Sequence, residues 1–230
     1  MNATMVIDAI TRESEVLNDC VRNHSQLSRF FGNTHSGSIA EKRDAYIRYL
    51  KLTADYVACT VPMLRAAGEA LANGSGGDKE WSSILLSYAA DEIDPIENYG
   101  HNFWATNDMR ALGASDDEVN ETCADFILSY KRYFVENAGQ HPYAILGAKG
   151  VLEHLAIVLC DDLVGGIRAS SIPNASNAVS FFSQHGMLDI DHVIEGDNNL
   201  RRITSGVNLD QVLAGAYFTG GSYRSFLRLI

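Results

Sequence analysis

The sequence predicts an all-α protein, a single domain over residues 1–230 built as a seven-helix bundle. Three observations predict it. Only four prolines occur in the 230 residues. Apolar residues recur every three or four positions along most of the chain, and no stretch alternates apolar and polar residues long enough to make a convincing strand.

The first helix is expected from Ile7 to Phe31, stopped by the Gly32-Asn33 pair. The second runs from Ile39 to Leu71, where Tyr46, Leu50, Ala54, Val57, Val61 and Leu64 form an apolar series that must absorb a kink at Pro62. Asn73 to Gly77 is a glycine-rich loop. A third helical region covers Trp81 to Leu112 and contains Pro95, which removes a backbone hydrogen bond and predicts a kink or break. Ser115-Asp-Asp-Glu118 is a capping box that opens the fourth helix, which ends near Asn137-Ala-Gly139. The fifth spans Pro142 to Ile167, and Ser171-Ile-Pro-Asn174 separates it from a sixth that extends to Ile203. Asn208-Leu-Asp-Gln211 opens the seventh, which reaches Leu229.

A formal net charge of -11 argues against nucleic acid or an anionic membrane as a partner, since both need clustered Lys and Arg. No segment has the roughly 18 to 20 apolar residues of a membrane span, and no secretory signal opens the chain. Cys20, Cys59, Cys123 and Cys160 form no CxxC pair, and they read as reduced packing residues of a cytoplasmic protein.

The chemistry concentrates in the sixth helix. His185, Asp189 and His192 are spaced i, i+4, i+7, which places all three within about 60° of arc on one helical face. Two imidazoles and a carboxylate contribute little to an apolar core but make half of a site for a first-row metal such as iron. A dinuclear site that activates oxygen needs about six such ligands from several helices. Glu153, in the mostly apolar stretch from Gly147 to Cys160, is a carboxylate that is costly to bury unless paired or ligated. Gly147 and Gly150 allow another helix to approach that segment closely. His101 supplies a further imidazole. Its carboxylate partner is open: Glu97 and Asp94 share its face on an ideal helix. Glu92 points about 180° away unless Pro95 and Gly100 break the helix and reset its phase.

Glu92, His101, Glu153 and the His185-x3-Asp189-x2-His192 motif together resemble the ligand set of the haem-oxygenase-like diiron oxidases and oxygenases. The resemblance covers most of the chain: Tyr46 to Val57, Asp91-Glu92 with His101-Asn-Phe-Trp and Ala-Leu-Gly113, Gly147 to Glu153, and the final motif, which is its most specific part. It implies a bundle of the haem-oxygenase-like type that holds two Fe(II) ions and takes O2 as co-substrate. One iron would take Glu92, His101 and a shared Glu153; the other would take Glu153, His185, Asp189 and His192. Asp94 and Glu97 stay open as replacements for Glu92 or additions to it. Members of the family carry out N-oxygenation, desaturation, oxidative decarboxylation and carbon–carbon cleavage on amino acids or fatty acids in specialised metabolism.

The expected partners are therefore a small-molecule substrate, an external electron donor and, in a homodimer, a second copy of the chain. An amino acid or a derivative is the substrate expected, with Lys149, Arg168 or Arg201 to anchor its carboxylate. His24 suits a haem ligand, but a haem pocket has no use for three carboxylates and three imidazoles elsewhere. Phe30, Phe31, Phe181 and Phe182 read as core, with some free to line a pocket, and Asp161-Asp162 and Asp191 as solvated surface. Glu195 is a candidate acceptor for a ligand imidazole. His35, His141 and His154 have no distinguishing context. Metal-free enzymes of the same fold, of the thiaminase-like or pyrroloquinoline-quinone synthase type, and a non-catalytic helical metal-binding protein are the alternatives.

Overall fold

The computed structural model describes residues 1–32, 37–74, 78–93, 99–121 and 124–230. Its regular elements are helices: α1 (Ala3–Arg22), α2 (Ile39–Val57), α3 (Thr60–Asn73), α4 (Lys79–Asp91), α5 (Asn102–Ala111), α6 (Asp116–Asn120), α7 (Ala124–Lys131), α8 (Ala144–Ala169), α9 (Ser180–Leu200) and α10 (Gly206–Leu227). Among the described residues the only strand-like feature is one isolated antiparallel bridge between Ile93 and Gly100. None of the described helices is long and apolar enough to cross a membrane.

Among the described residues ten α-helical segments stand where seven helices are expected, because the second, third and fourth each divide in two. The α2–α3 break falls at Ala58-Cys59 and makes Pro62 the third residue of α3. In a first turn, the missing proline N–H has no intrahelical acceptor to lose. The third divides between Asp91 and Asn102, around Pro95, and residues 94–98 lie outside the described residues. The fourth opens on the Ser115–Glu118 capping box as expected, stops at Asn120, and resumes as α7, which runs into a π-helical turn, Arg132–Glu136.

The first helix is shorter than its apolar pattern suggests and ends at Arg22. The Asn23 amide donates back to Asp19 O at 2.8 Å, a local bond that competes with helix continuation. Leu27 and Phe30 still reach the core, Phe30 through a short 3-10 turn, Ser28–Phe30. Cys20, Cys59 and Cys160 are free thiols, the last two buried; Cys123 lies outside the described residues.

α8 is the central element and packs against α1, α9 and α10. Its apolar residues Val151, Leu155, Leu159, Leu163 and Ile167 are all buried. The α8–α10 crossing is close because each helix offers a glycine. A Cβ on Gly147 would sit 1.9 Å from Val212 O, and one on Gly215 would sit 1.9 Å from Ala144 O. Gly147→Ala is therefore expected to destabilise the fold by about 1–3 kcal/mol, because helical backbone cannot yield as a side chain can. That cost exceeds the roughly 0.5–1 kcal/mol that alanine gains over glycine inside a helix. Urea unfolding checks this: the midpoint should fall with the slope unchanged. An unchanged or raised midpoint would contradict the close crossing.

Candidate metal centre

α8 and α9 run side by side, and their facing surfaces bring Glu153 against the His-x3-Asp-x2-His stripe. His192 Nδ1 lies 3.2 Å from Asp189 Oδ1 and 3.3 Å from Glu153 Oε1. Donor atoms 2.0–2.2 Å from one ion, at angles of 90–110°, stand about 3 to 3.5 Å apart. Glu153, Asp189 and His192 therefore form a group with the spacing of ligands around a single cation. Both carboxylates are buried.

A second group forms where the third helical region breaks. Glu92 caps the C-terminus of α4 and His101 the N-terminus of α5. The Ile93–Gly100 bridge and a bond from His101 N to Glu92 O (3.3 Å) bring the end of α4 against the start of α5. This interruption resets the helical phase, so Glu92 Oε2 comes within 3.3 Å of His101 Nδ1 instead of pointing away from it. Asp94 and Glu97, the candidates that ideal periodicity prefers, lie outside the described residues.

His185 belongs geometrically with this second group. Its ring meets that of His101 edge-on, with centroids 5.3 Å apart. Its Nδ1 is 3.0 Å from Phe181 O. A carbonyl oxygen can only accept, so Nδ1 carries the proton and Nε2 keeps its lone pair for a ligand. Stacking fixes the rings: His185 lies on Phe181 at 4.1 Å and His101 on Trp104 at 4.4 Å. The stripe on α9 thus serves both groups, His185 on one side and Asp189 with His192 on the other.

The two groups border one cavity of about 70 Å³, lined at its polar end by Glu92, Lys149, Glu153, His185 and Asp189. Its other walls include Leu155, Leu159 and Phe182 and the tyrosines Tyr49, Tyr56 and Tyr223. Tyr49 and Tyr223 share a hydroxyl–hydroxyl hydrogen bond of 2.6 Å. Phe181 and Phe182 are core residues that also line this space.

Burial and pairing divide the titrations. Burial raises the Asp189 carboxyl, against the pull of His192. Burial would also raise Glu92, but the hydrogen bond and charge of His101, with Lys149 and His185 beyond, hold it below its ordinary value. His185 is lowered by burial, which keeps the ring neutral and ready to ligate. His192 is pushed up to about 10, first by Asp189 and then by Glu153.

Two further residues shape the site: Asp108, which no local pattern marks, and Lys149, which stands i, i+4 to Glu153. Asp108, on α5, is 1% exposed and caps α9 from across the fold. It accepts from Ser180 N (3.0 Å), Ser180 Oγ (2.7 Å) and Phe181 N (2.9 Å). It thereby ties α5, whose N-cap is His101, to the helix that carries His185. Lys149 lies one turn before Glu153 and pairs with Glu153 Oε1. By contrast, Arg168 and Arg201, the other proposed carboxylate anchors, do not line the cavity. Asp161, Asp162, Asp191 and Glu195 are exposed, and His154 faces Asp197 at 3.5 Å instead of the cavity. His24 sits in the turn after α1, where Gln26 N donates to its Nδ1 at 3.3 Å.

No family model matches the sequence, and no curated protein matches it. Crystal structures that share its architecture include two of proteins of unknown function. A domain of unknown function with a haem oxygenase-like fold, from Shewanella denitrificans OS217, matches with a TM-score of 0.73 at 16% identity, covering 94% of this chain and 88% of that one. A CADD-like protein of unknown function from Nostoc punctiforme PCC 73102 matches with a TM-score of 0.57 at 15% identity, covering 96% of each chain. At these identities the likeness is one of fold, and in fold the chain is haem oxygenase-like.

Proposed function

We propose that the protein is a non-haem diiron oxidase or oxygenase that uses O2 to oxidise a small organic substrate. The observation that carries the reading is the donor set: three carboxylates and three imidazoles gathered into two groups, with Glu92, His185, Glu153 and Asp189 on one cavity and His101 and His192 paired to them. Hard carboxylates with imidazoles suit iron, and no purely structural role asks for six such groups around shared space.

Glu153, Asp189 and His192 would hold one ion and Glu92, His101 and His185 the other, with the deprotonated Nε2 of His185 already presented. Two ferrous ions bound there would supply the two electrons needed, with two protons, to reduce O2 so that one oxygen atom enters a substrate and the other leaves as water. An external donor must then restore those electrons. The aromatic and aliphatic walls around Tyr49, Phe182 and Leu159 exclude water and receive the apolar part of the substrate. An amino acid or a derivative is the class proposed, since Lys149 together with two bound ions would give the polar end a positive character that suits a carboxylate.

One observation favours a metal-free enzyme of the same fold: Glu153 already has a cationic partner in Lys149. Anaerobic loading with Fe(II), exposure to O2 and a panel of amino acids as substrates separates the two. The diiron reading expects oxygen consumption that depends on iron and is stimulated by substrate. Oxygen consumption indifferent to both would remove it.

A further inference from the structure

The Lys149 side chain is only 7% exposed. Its ammonium group pairs with Glu153 Oε1, and Nζ stands 4.5 Å from the centroid of the Tyr88 ring. That ring is fixed in turn from α9, where the Asn199 amide donates to the Tyr88 hydroxyl at 2.7 Å. A lysine on a surface swings its charge into water; this one is walled in among Tyr88, Glu153 and the cavity that Glu92, His185 and Asp189 also line. The oxygen it contacts, Glu153 Oε1, is the same atom that faces His192 in the three-residue group.

We propose that Lys149 is a resident counter-cation of this centre: its ammonium occupies Glu153 until a divalent ion displaces it, and its charge limits how tightly the more weakly held ion binds. The inference rests on the reading of the site as a metal centre. An ion entering between Glu153, Asp189 and His192 must compete for an oxygen that Lys149 already holds. The ammonium is 7% exposed and held against the Tyr88 ring, so once displaced from Glu153 Oε1 it stays near the ion and repels it. Even at an effective dielectric near 20, a unit charge about 5 Å from a divalent ion alters its affinity by well over tenfold.

The test is an anaerobic titration of the full chain with Co(II) alone, following its visible absorption and counting bound metal, on wild type, Lys149→Met, Lys149→Gln and Lys149→Arg. The two neutral variants should tighten the weaker binding step by about tenfold or more, and the arginine variant should bind as wild type does. Lys149→Gln keeps a hydrogen-bond donor for Glu153, so it covers the case in which Lys149→Met does not fold, as judged by circular dichroism. Two bound ions with unchanged or weaker steps in the neutral variants would overturn the role of Lys149 and leave the metal centre standing. Tightening in Lys149→Arg as well would overturn it too, because charge would not then be the cause. Failure of every variant and of wild type to take up Co(II) would remove the metal reading, and this inference with it.

Discussion

Replacing His192 with Ala is expected to take the anaerobically loaded protein from two ferrous ions per chain to one. His192 Nδ1 stands within 3.3 Å of both Glu153 Oε1 and Asp189 Oδ1, so its removal takes away the imidazole that both buried carboxylates share. Altering a group that merely supports a ligand costs about 10- to 100-fold in metal affinity, so deleting the ligand itself should exceed about 100-fold. The Glu92, His101 and His185 group does not include this ring and should still fill. Asp191→Asn, next to His192 in sequence but exposed, should leave the iron count unchanged. Iron analysis after desalting checks both. Two ions retained in His192→Ala would show that the three-residue group is not a metal position.

Metal binding is expected to strengthen with pH by about tenfold per unit across the neutral range and to release a proton. The cause is His192, whose pKa in the metal-free protein is pushed up to about 10 by Asp189 and Glu153. Its ordinary value is 6.5, so in the folded chain it stays protonated at a pH where a free imidazole is not. An ion bound at Nδ1 needs the lone pair that this proton occupies, so every step down in pH below about 10 makes the competition harder. The same shift has the opposite consequence for the metal-free fold. A folded pKa raised above the unfolded one contributes stability that is fully present below pH 6.5 and is lost as pH rises through about 10. The metal-free protein should therefore lose stability towards alkaline pH while its affinity for metal rises. Calorimetric Co(II) titrations in buffers of different ionisation enthalpy measure the proton count. Affinity that is flat from pH 6.5 to 8.5 would contradict the assignment.

Most of the helices were legible in the sequence, and the exceptions share a physical cause. Apolar periodicity reports which residues are buried, not which backbone carries them. Leu27 and Phe30 continue the apolar pattern of α1 and are buried as it implies, yet the helix has already ended at Arg22. Pro62 marks a break correctly in place, though the chain makes a full interruption at Ala58-Cys59 where a kink is expected.

The site was legible wherever its residues share one element. His185, Asp189 and His192 can be read as a unit because a single helix carries them, and Glu153 stands out because its neighbours are apolar. The position of Glu92 against His101 depends on a helix interruption that spacing alone allows but does not require. Asp108 reaches α9 from 72 residues away in sequence, and the pairing of Lys149 with Glu153 matters only because both face a cavity that α9 closes. The division of the α9 stripe between two groups is equally a product of what faces it: His101 on one side and Glu153 on the other.

The central proposal is that Glu92, His101 and His185 on one side and Glu153, Asp189 and His192 on the other hold two irons at adjacent positions. Mössbauer spectroscopy of the wild-type chain, loaded anaerobically with 57Fe(II) and then exposed to O2, tests it most directly. Two ferrous ions per chain are expected, both oxidised by O2, with spin coupling of the ferric pair if a carboxylate such as Glu153 is shared between them. One iron per chain, or two that stay ferrous under O2, would contradict the proposal.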